Sequence, residues 1–83
     1  MRKTIVLTWQ EYSPVSSYYG TICAALWIAE GTDSDLNDAL AYAAKQNRQP
    51  ACAMAQYRVH IFATDNTRWK RDALEAHRNG AQV

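Results

Sequence analysis

The sequence predicts a small α+β domain in which helices cover one face of a short sheet. Segments 3–12 and 55–63 are rich in β-branched and aromatic residues, as strands are. Segments 33–47 and 67–79 carry apolar residues at helical spacing. A chain of 83 residues is long enough for one hydrophobic core only, so we expect a single compact domain over residues 1–83.

The first predicted strand, 3–12, places alternate side chains on its two faces. One face carries Ile5, Leu7 and Trp9, and the other carries Thr4, Val6, Thr8 and Gln10. Ser13 and Pro14 follow directly and are typical of a turn, so we expect the strand to end there.

The next segment, 15–30, fits two different structures. As a helix it would end at Gly31, and one stripe would carry Val15, Tyr18, Tyr19, Ile22, Leu26 and Ala29. As a strand over 21–29 it would be apolar on both faces and would form a hairpin with 3–12. We expect the helix, because helical spacing explains more of the apolar positions.

Segment 33–47 is predicted to be a helix that begins with Asp33 or Ser34 as its N-cap. The buried stripe of this helix consists of Leu36, Ala39, Leu40 and Ala43. The acidic start does not match a calcium-binding loop, because Asp38 and Ala44 stand where that loop needs Gly and Glu. The acids are therefore interpreted as favourable charges at a helix N-terminus, with an acidic contact surface as the alternative.

The last two elements are a strand over 55–63 and a helix over 67–79 that ends at Asn79 and Gly80. The strand places Tyr57, Val59 and Ile61 on one face, opposite Gln56, Arg58, His60 and Phe62. The inner stripe of the helix consists of Trp69, Ala73 and Ala76. We therefore expect Trp69 to be buried.

The composition indicates a small core. Hydrophobic residues form 48% of the chain, but alanine supplies 14 of them. Tryptophan, tyrosine and phenylalanine compensate in part, since each buries a large apolar area. A core of this size supplies little stability, so a partner chain would help. The sequence leaves open whether that partner is a second copy of the chain.

Several function classes are disfavoured by what the sequence lacks. The spacing of Cys23, Cys52, His60 and His77 matches no zinc site, so neither a metal nor another cofactor is expected. No nucleophile elbow or glycine-rich phosphate loop is present, so we do not expect an enzyme. There is no apolar run long enough to cross a membrane and no signal-peptide pattern. Together with the two unmatched cysteines, this predicts a cytoplasmic protein.

Two groups of residues are candidates for partner binding. The first consists of Tyr18, Tyr19 and Trp27, aromatic residues of the kind that dominate protein–protein interfaces. The second surrounds Trp69 and consists of Arg68, Lys70 and Arg71, with Arg58 and Arg78 as further basic residues. Cations beside an aromatic ring suit phosphate contact and base stacking, although nearby acids dilute this charge.

These observations favour a non-catalytic domain that binds a larger protein or complex and inhibits or modulates it. Small proteins of this kind are common in phages and mobile elements, so an inhibitor of a host complex, such as an anti-CRISPR, is the setting we expect. The alternative is a small nucleic-acid-binding or transcription-regulating module that uses helix 67–79. A net charge of +1 is low for such a module, so nucleic acid is not the favoured partner.

Overall fold

The computed structural model describes residues 2–13, 18–48 and 56–81, without the side chains of 11–13, 18 and 19. Its elements, in chain order, are β1 (Lys3–Ser13), β2 (Tyr18–Gly31), α1 (Asp33–Arg48), β3 (Gln56–Phe62) and α2 (Trp69–Arg78). The strands form one antiparallel sheet in the order β2-β1-β3. The predicted α+β class is confirmed, as are the strands expected over 3–12 and 55–63 and the helices expected over 33–47 and 67–79.

The helix expected over 15–30 is wrong, and the strand alternative over 21–29 is correct. β2 pairs with β1 from Lys3↔Gly31 to Ser13↔Tyr18. Nearly every residue in the middle of β2 is apolar, so a helical stripe can be drawn through it without distinguishing helix from strand. The long-range pairing with β1 decides the structure. Residues 15–17 of the expected helix lie outside the described residues.

The two helices lie on opposite faces of the sheet, whereas the sequence led us to expect one covered face. Ile5, Leu7 and Val59 pack with Ala39 and Ala43 of α1 in the main core cluster. The alternate residues of β1 and β3 face α2 instead, which contributes buried Ala73 and His77. The second face is therefore covered as well, because Val6, Thr8 and His60 give it a buried layer of its own.

α1 begins with a reciprocal pair of hydrogen bonds between Thr32 and Asp35. The Thr32 backbone N–H donates to Asp35 Oδ2 at 2.8 Å, and the Asp35 backbone N–H donates to Thr32 Oγ1 at 3.4 Å. Thr32 is thus the N-cap, rather than Asp33 or Ser34. Neither α1 nor α2, the two helices within the described ranges, has the length and apolar character needed to cross a bilayer.

α2 ends where the sequence predicts, at Asn79 and Gly80. Gly80 has φ 80°, a left-handed conformation that glycine adopts without steric cost. Its N–H donates to His77 O at 3.0 Å, and the N–H of Ala81 donates to Ala76 O at 2.8 Å. These two bonds form a Schellman motif, which satisfies carbonyls that the helix end would otherwise leave unpaired.

Candidate functional site

An exposed apolar segment of β2, residues 25–29, is the first candidate surface, and we call it the β2 edge segment. All its residues are exposed, including Leu26 at 43%, Trp27 at 37% and Ile28 at 37%. β2 is an outer strand, and no other strand of the described residues pairs with its free edge. Backbone groups along such an edge are available to a strand from another chain.

A β-bulge places Trp27 at this edge. Ile5 and Val6 are neighbours in β1, but they pair with Ile28 and Leu26, which leaves Trp27 as the additional residue of β2. Bulges of this kind redirect a side chain relative to the sheet. The Trp27 ring lies 5.3 Å from that of Tyr42 in α1, measured between centroids. Trp27 therefore belongs to the α1 side of the molecule.

Tyr42 connects Trp27 to a row of rings, which we call the aromatic cluster (Trp9, Trp27, Tyr42 and Tyr57). The Tyr42 and Tyr57 centroids are 6.3 Å apart, and Tyr57 stacks on Trp9 at 6.0 Å. Tyr42 is itself 39% exposed. Sequence reasoning missed Tyr42 because it lies outside the buried stripe of α1, and only the position of β2 reveals its neighbour. The cluster thus runs from the core to the surface beside the β2 edge segment.

The structure places the three predicted aromatic residues on one strand but does not bring them together. Tyr18 and Tyr19 begin β2, whereas Trp27 lies near its other end. At the rise of an extended strand this separation is roughly 30 Å. The side chains of Tyr18 and Tyr19 lie outside the described part of the chain. Of the three residues, Trp27 is the one for which the structure gives an exposed ring.

The predicted basic residues Arg68, Lys70 and Arg71 are exposed around the start of α2, on the opposite face of the sheet from α1. Arg71 forms an ion pair with Asp72 at 3.2 Å. A hydrogen bond from Asn66, and then one from Arg71, lowers the pKa of Asp72 below its usual value. The carboxylate therefore stays ionised and offsets part of the basic charge.

Trp69 is half-buried, whereas the sequence led us to expect it to be buried. The inner stripe of α2 instead continues from Ala73 to His77, both buried. Trp69 is the first residue of α2 and so lies at the end of that helix.

Thr8, His60 and His77 form a buried hydrogen-bonded network between the sheet and α2. The Thr8 hydroxyl oxygen lies 2.7 Å from His60 Nε2 and 2.7 Å from His77 Nδ1. A hydroxyl has one proton, so when it donates to one ring, the other ring must donate to it. Thr8 has no exposed surface, which supports a structural role for its hydroxyl rather than contact with a substrate.

Both histidines are poor bases in this environment. Burial, followed by the nearby Arg58 charge, lowers the pKa of His60. Burial, then Arg58 and then His60, lowers the pKa of His77 to about 4. A charged His77 would be favoured by the helix dipole at the C-terminus of α2, but desolvation by burial outweighs that effect. Both rings are neutral at pH 7.

A polar groove adjoins this network. It has a volume of about 470 Å³ and is lined by Gln10, Gly20, Thr21, Ile22, Gln56, Arg58, His77, Arg78 and Gly80. Arg58 and Arg78, which sequence reasoning placed near the basic cluster, meet here instead. Arg58 comes from β3 and Arg78 from the last turn of α2.

No group of three or more His, Cys, Asp or Glu side chains that could hold a metal ion is found among the described residues. Cys23 is a half-buried free thiol in β2, and Cys52 lies outside the described residues. His60 and His77 do lie close together, but the group that both rings contact is the Thr8 hydroxyl.

The β2 edge segment and the polar groove thus differ in chemistry, the first being apolar and the second cationic. Comparisons of this chain with protein families, with curated proteins and with solved structures find no match, so the proposals below rest on its own residues.

Proposed function

We propose that this chain is a non-catalytic protein-binding domain that docks on a larger protein or complex and inhibits or modulates it. The β2 edge segment carries the proposal, because it is apolar, has an exposed tryptophan, and has an edge that pairs with no other strand of the described residues. In the proposed complex, an extended segment of the partner adds a strand to the sheet beside β2.

The lack of charge along β2 supports this mode of binding. Residues 18–29 contain no Asp, Glu, Lys or Arg. Soluble proteins usually protect a long edge strand with charges or proline, because an open edge pairs with other chains. An edge kept uncharged over this length is typical of a strand that receives a partner.

The aromatic cluster supplies an anchor for the same interface. Trp27 and Tyr42 are both partly exposed and already in contact, so little conformational entropy is lost when a partner covers them. Tryptophan and tyrosine dominate binding energy at protein interfaces. Backbone pairing would then supply orientation, and Trp27 much of the affinity.

The proposal includes a cytoplasmic setting, supported by the free thiol of Cys23, which is typical of a reducing compartment. It also includes a phage or mobile-element inhibitor, which rests on how common small inhibitors are there. A homodimer through β2 is the competing use of the same edge.

The test compares Trp27→Ala with Ile61→Ala. Ile61 is a matched control, since it lies in β3 and is 37% exposed, like Trp27. Immobilised wild type and variants are used to capture proteins from a bacterial lysate, and the captured partner is then titrated in purified form. We expect Trp27→Ala to weaken binding by about 30-fold and Ile61→Ala to leave it unchanged.

Two results would contradict the proposal. One is a partner whose affinity responds to Ile61→Ala and not to Trp27→Ala. The other is a purified chain that is dimeric by light scattering and becomes monomeric on Trp27→Ala, because the edge would then serve self-association.

Nucleic-acid binding through α2 is the second candidate function. It is favoured by the exposure of Arg68 and Lys70, neither of which forms an ion pair with another described residue. Such binding would weaken steeply with added salt, whereas binding through the apolar β2 edge would not.

A further inference from the structure

The polar groove beside α2 has the chemistry of an anion site. Arg58 and Arg78 are among its lining residues, and no Asp or Glu is among those that the structure describes. Gln10, Gln56 and Thr21 add neutral hydrogen-bonding groups. We propose that this groove binds a phosphate monoester, with Arg58 and Arg78 holding its phosphate oxygens.

Arg58 is already fixed in position. Its Nη1 donates to His77 O at 2.6 Å, and its Nη2 donates to Gln56 Oε1 at 3.5 Å. A guanidinium has five N–H donors in a rigid fork, so donors remain for a ligand after these bonds. Because the side chain is held before binding, less entropy is lost when an anion arrives.

The carbonyl end of a helix normally repels anions, and the groove lies at the C-terminus of α2. Here the carbonyls of His77 and Ala76 accept the Schellman hydrogen bonds from Gly80 and Ala81. His77 O accepts from Arg58 in addition. The partial negative charge of the helix end is thus neutralised locally, and the guanidinium charges dominate the groove.

His77 gives an independent indication of a missing partner. It is 3% exposed, and its Nε2 has no hydrogen-bond partner among the described residues. Buried polar atoms in folded proteins are almost always paired, so such an atom calls for a ligand or an ordered water. When the Thr8 hydroxyl donates to His77 Nδ1, the ring proton is on the buried Nε2, where no described residue accepts it.

The donor set fits a phosphate better than a carboxylate. A monoester presents three terminal oxygens and close to two negative charges, which match two guanidinium groups and further donors. A carboxylate has two oxygens and one charge, and leaves part of this donor set unpaired. The volume of about 470 Å³ exceeds a phosphate alone and leaves space for the attached organic group.

The experiment follows backbone amide resonances of the ¹⁵N-labelled chain at constant ionic strength and about pH 7.5, where a monoester is mainly a dianion. The probes are inorganic phosphate, glycerol 3-phosphate and acetate. We expect saturable shifts at Gly20, Thr21 and Gly80 with both phosphates, and weaker binding of acetate. Shifts that do not saturate, or equal affinity for acetate, would overturn the proposal.

Arg78→Gln tests the assigned residue, since Arg78 makes no hydrogen bond or ion pair to another described residue and its loss should spare the fold. We expect the dissociation constant for glycerol 3-phosphate to rise by about tenfold. Arg68→Gln removes an equal charge from the start of α2, and should have little effect. Equal losses in the two variants would overturn the proposal, because they would indicate a diffuse charge effect.

A phosphate monoester can come from a small molecule or from the end of a nucleic acid. A 5′-phosphorylated dinucleotide and the same dinucleotide without that phosphate separate these sources. A nucleic-acid end is supported when the phosphorylated dinucleotide binds more tightly than glycerol 3-phosphate, and a small molecule when it does not. Binding of the unphosphorylated dinucleotide at the same amides would overturn a monoester site.

Discussion

His77 Nδ1 lies 2.7 Å from the hydroxyl oxygen of Thr8, across 69 positions of sequence. The contact joins the last turn of α2 to the central strand of the sheet. His60 approaches the same oxygen from β3, so one hydroxyl links three elements. The network fixes α2 on the sheet. It matters because the buried apolar residue of that helix, Ala73, has only a small side chain.

The two histidines should make the domain sensitive to acid. Each has a folded-state pKa below its unfolded value of about 6.5, so the unfolded chain binds more protons in acid. Their contribution is therefore complete above about pH 6.5 and is lost as pH falls toward 4 and below. Urea unfolding at several pH values should show that the free energy of unfolding falls by about 3 kcal/mol because of His77. A His77→Gln variant should be less stable at neutral pH, and its free energy of unfolding should change less with pH over this range. A pH dependence as steep as that of the wild type would contradict the assignment.

Thr8→Val should destabilise the domain more than Thr4→Val. Both threonines are buried, but Thr4 Oγ1 donates only to Ala29 O, at 3.0 Å, whereas Thr8 serves two rings. Removing the Thr8 hydroxyl leaves two buried nitrogens unpaired, which should lower the free energy of unfolding by about 2–4 kcal/mol. Removing the Thr4 hydroxyl should lower it by about 1 kcal/mol. Equilibrium unfolding followed by circular dichroism measures the stability of both variants. Equal losses of stability would show that the hydrogen bonds from Thr8 to the two histidines do not stabilise the fold.

Gly31 and Gly80 should resist substitution for different reasons. A Cβ at Gly31 would collide with the side chains of Ile5 and Ile28, so Gly31→Ala should cost about 2 kcal/mol. At Gly80 the Cβ would have space, and the cost of Gly80→Ala, about 1 kcal/mol, comes from its positive φ. Asparagine tolerates that conformation, so Gly80→Asn should recover most of the loss while Gly31→Asn should not. Thermal denaturation of the four variants distinguishes the two causes.

Charge reversal of Arg68, Lys70 and Arg71 to Glu separates the two candidate functions. These residues lie on the face opposite Trp27, so we expect capture of the protein partner to be unchanged. If nucleic acid is bound instead, each lost phosphate contact should lower the salt slope of binding by about one unit. Gel shifts at several salt concentrations provide the measurement. Loss of function in this variant with Trp27→Ala unaffected would favour the nucleic-acid module.

β1, β3, α1 and α2 were predictable because their patterns are local. Alternation in β1 and β3 assigns each side chain to a face, and both helices show a clear apolar stripe. β2 was not predictable in this way, since its residues are apolar at almost every position and fit two structures. The pairing of β2 with β1 selects the strand, and this pairing depends on residues far away in sequence.

The sequence by itself determined the α+β class, the face of each residue in β1 and β3, and the stop of α2 at Gly80. Tertiary structure alone decided that the helices lie on opposite faces, that Trp27 of the outer strand β2 meets Tyr42, and that Arg58 and Arg78 share a groove. It also decided that Thr8, His60 and His77 meet and that both rings are neutral. The physical reason is that local propensity follows from neighbouring residues, whereas burial and pairing depend on segments that only the folded chain brings together.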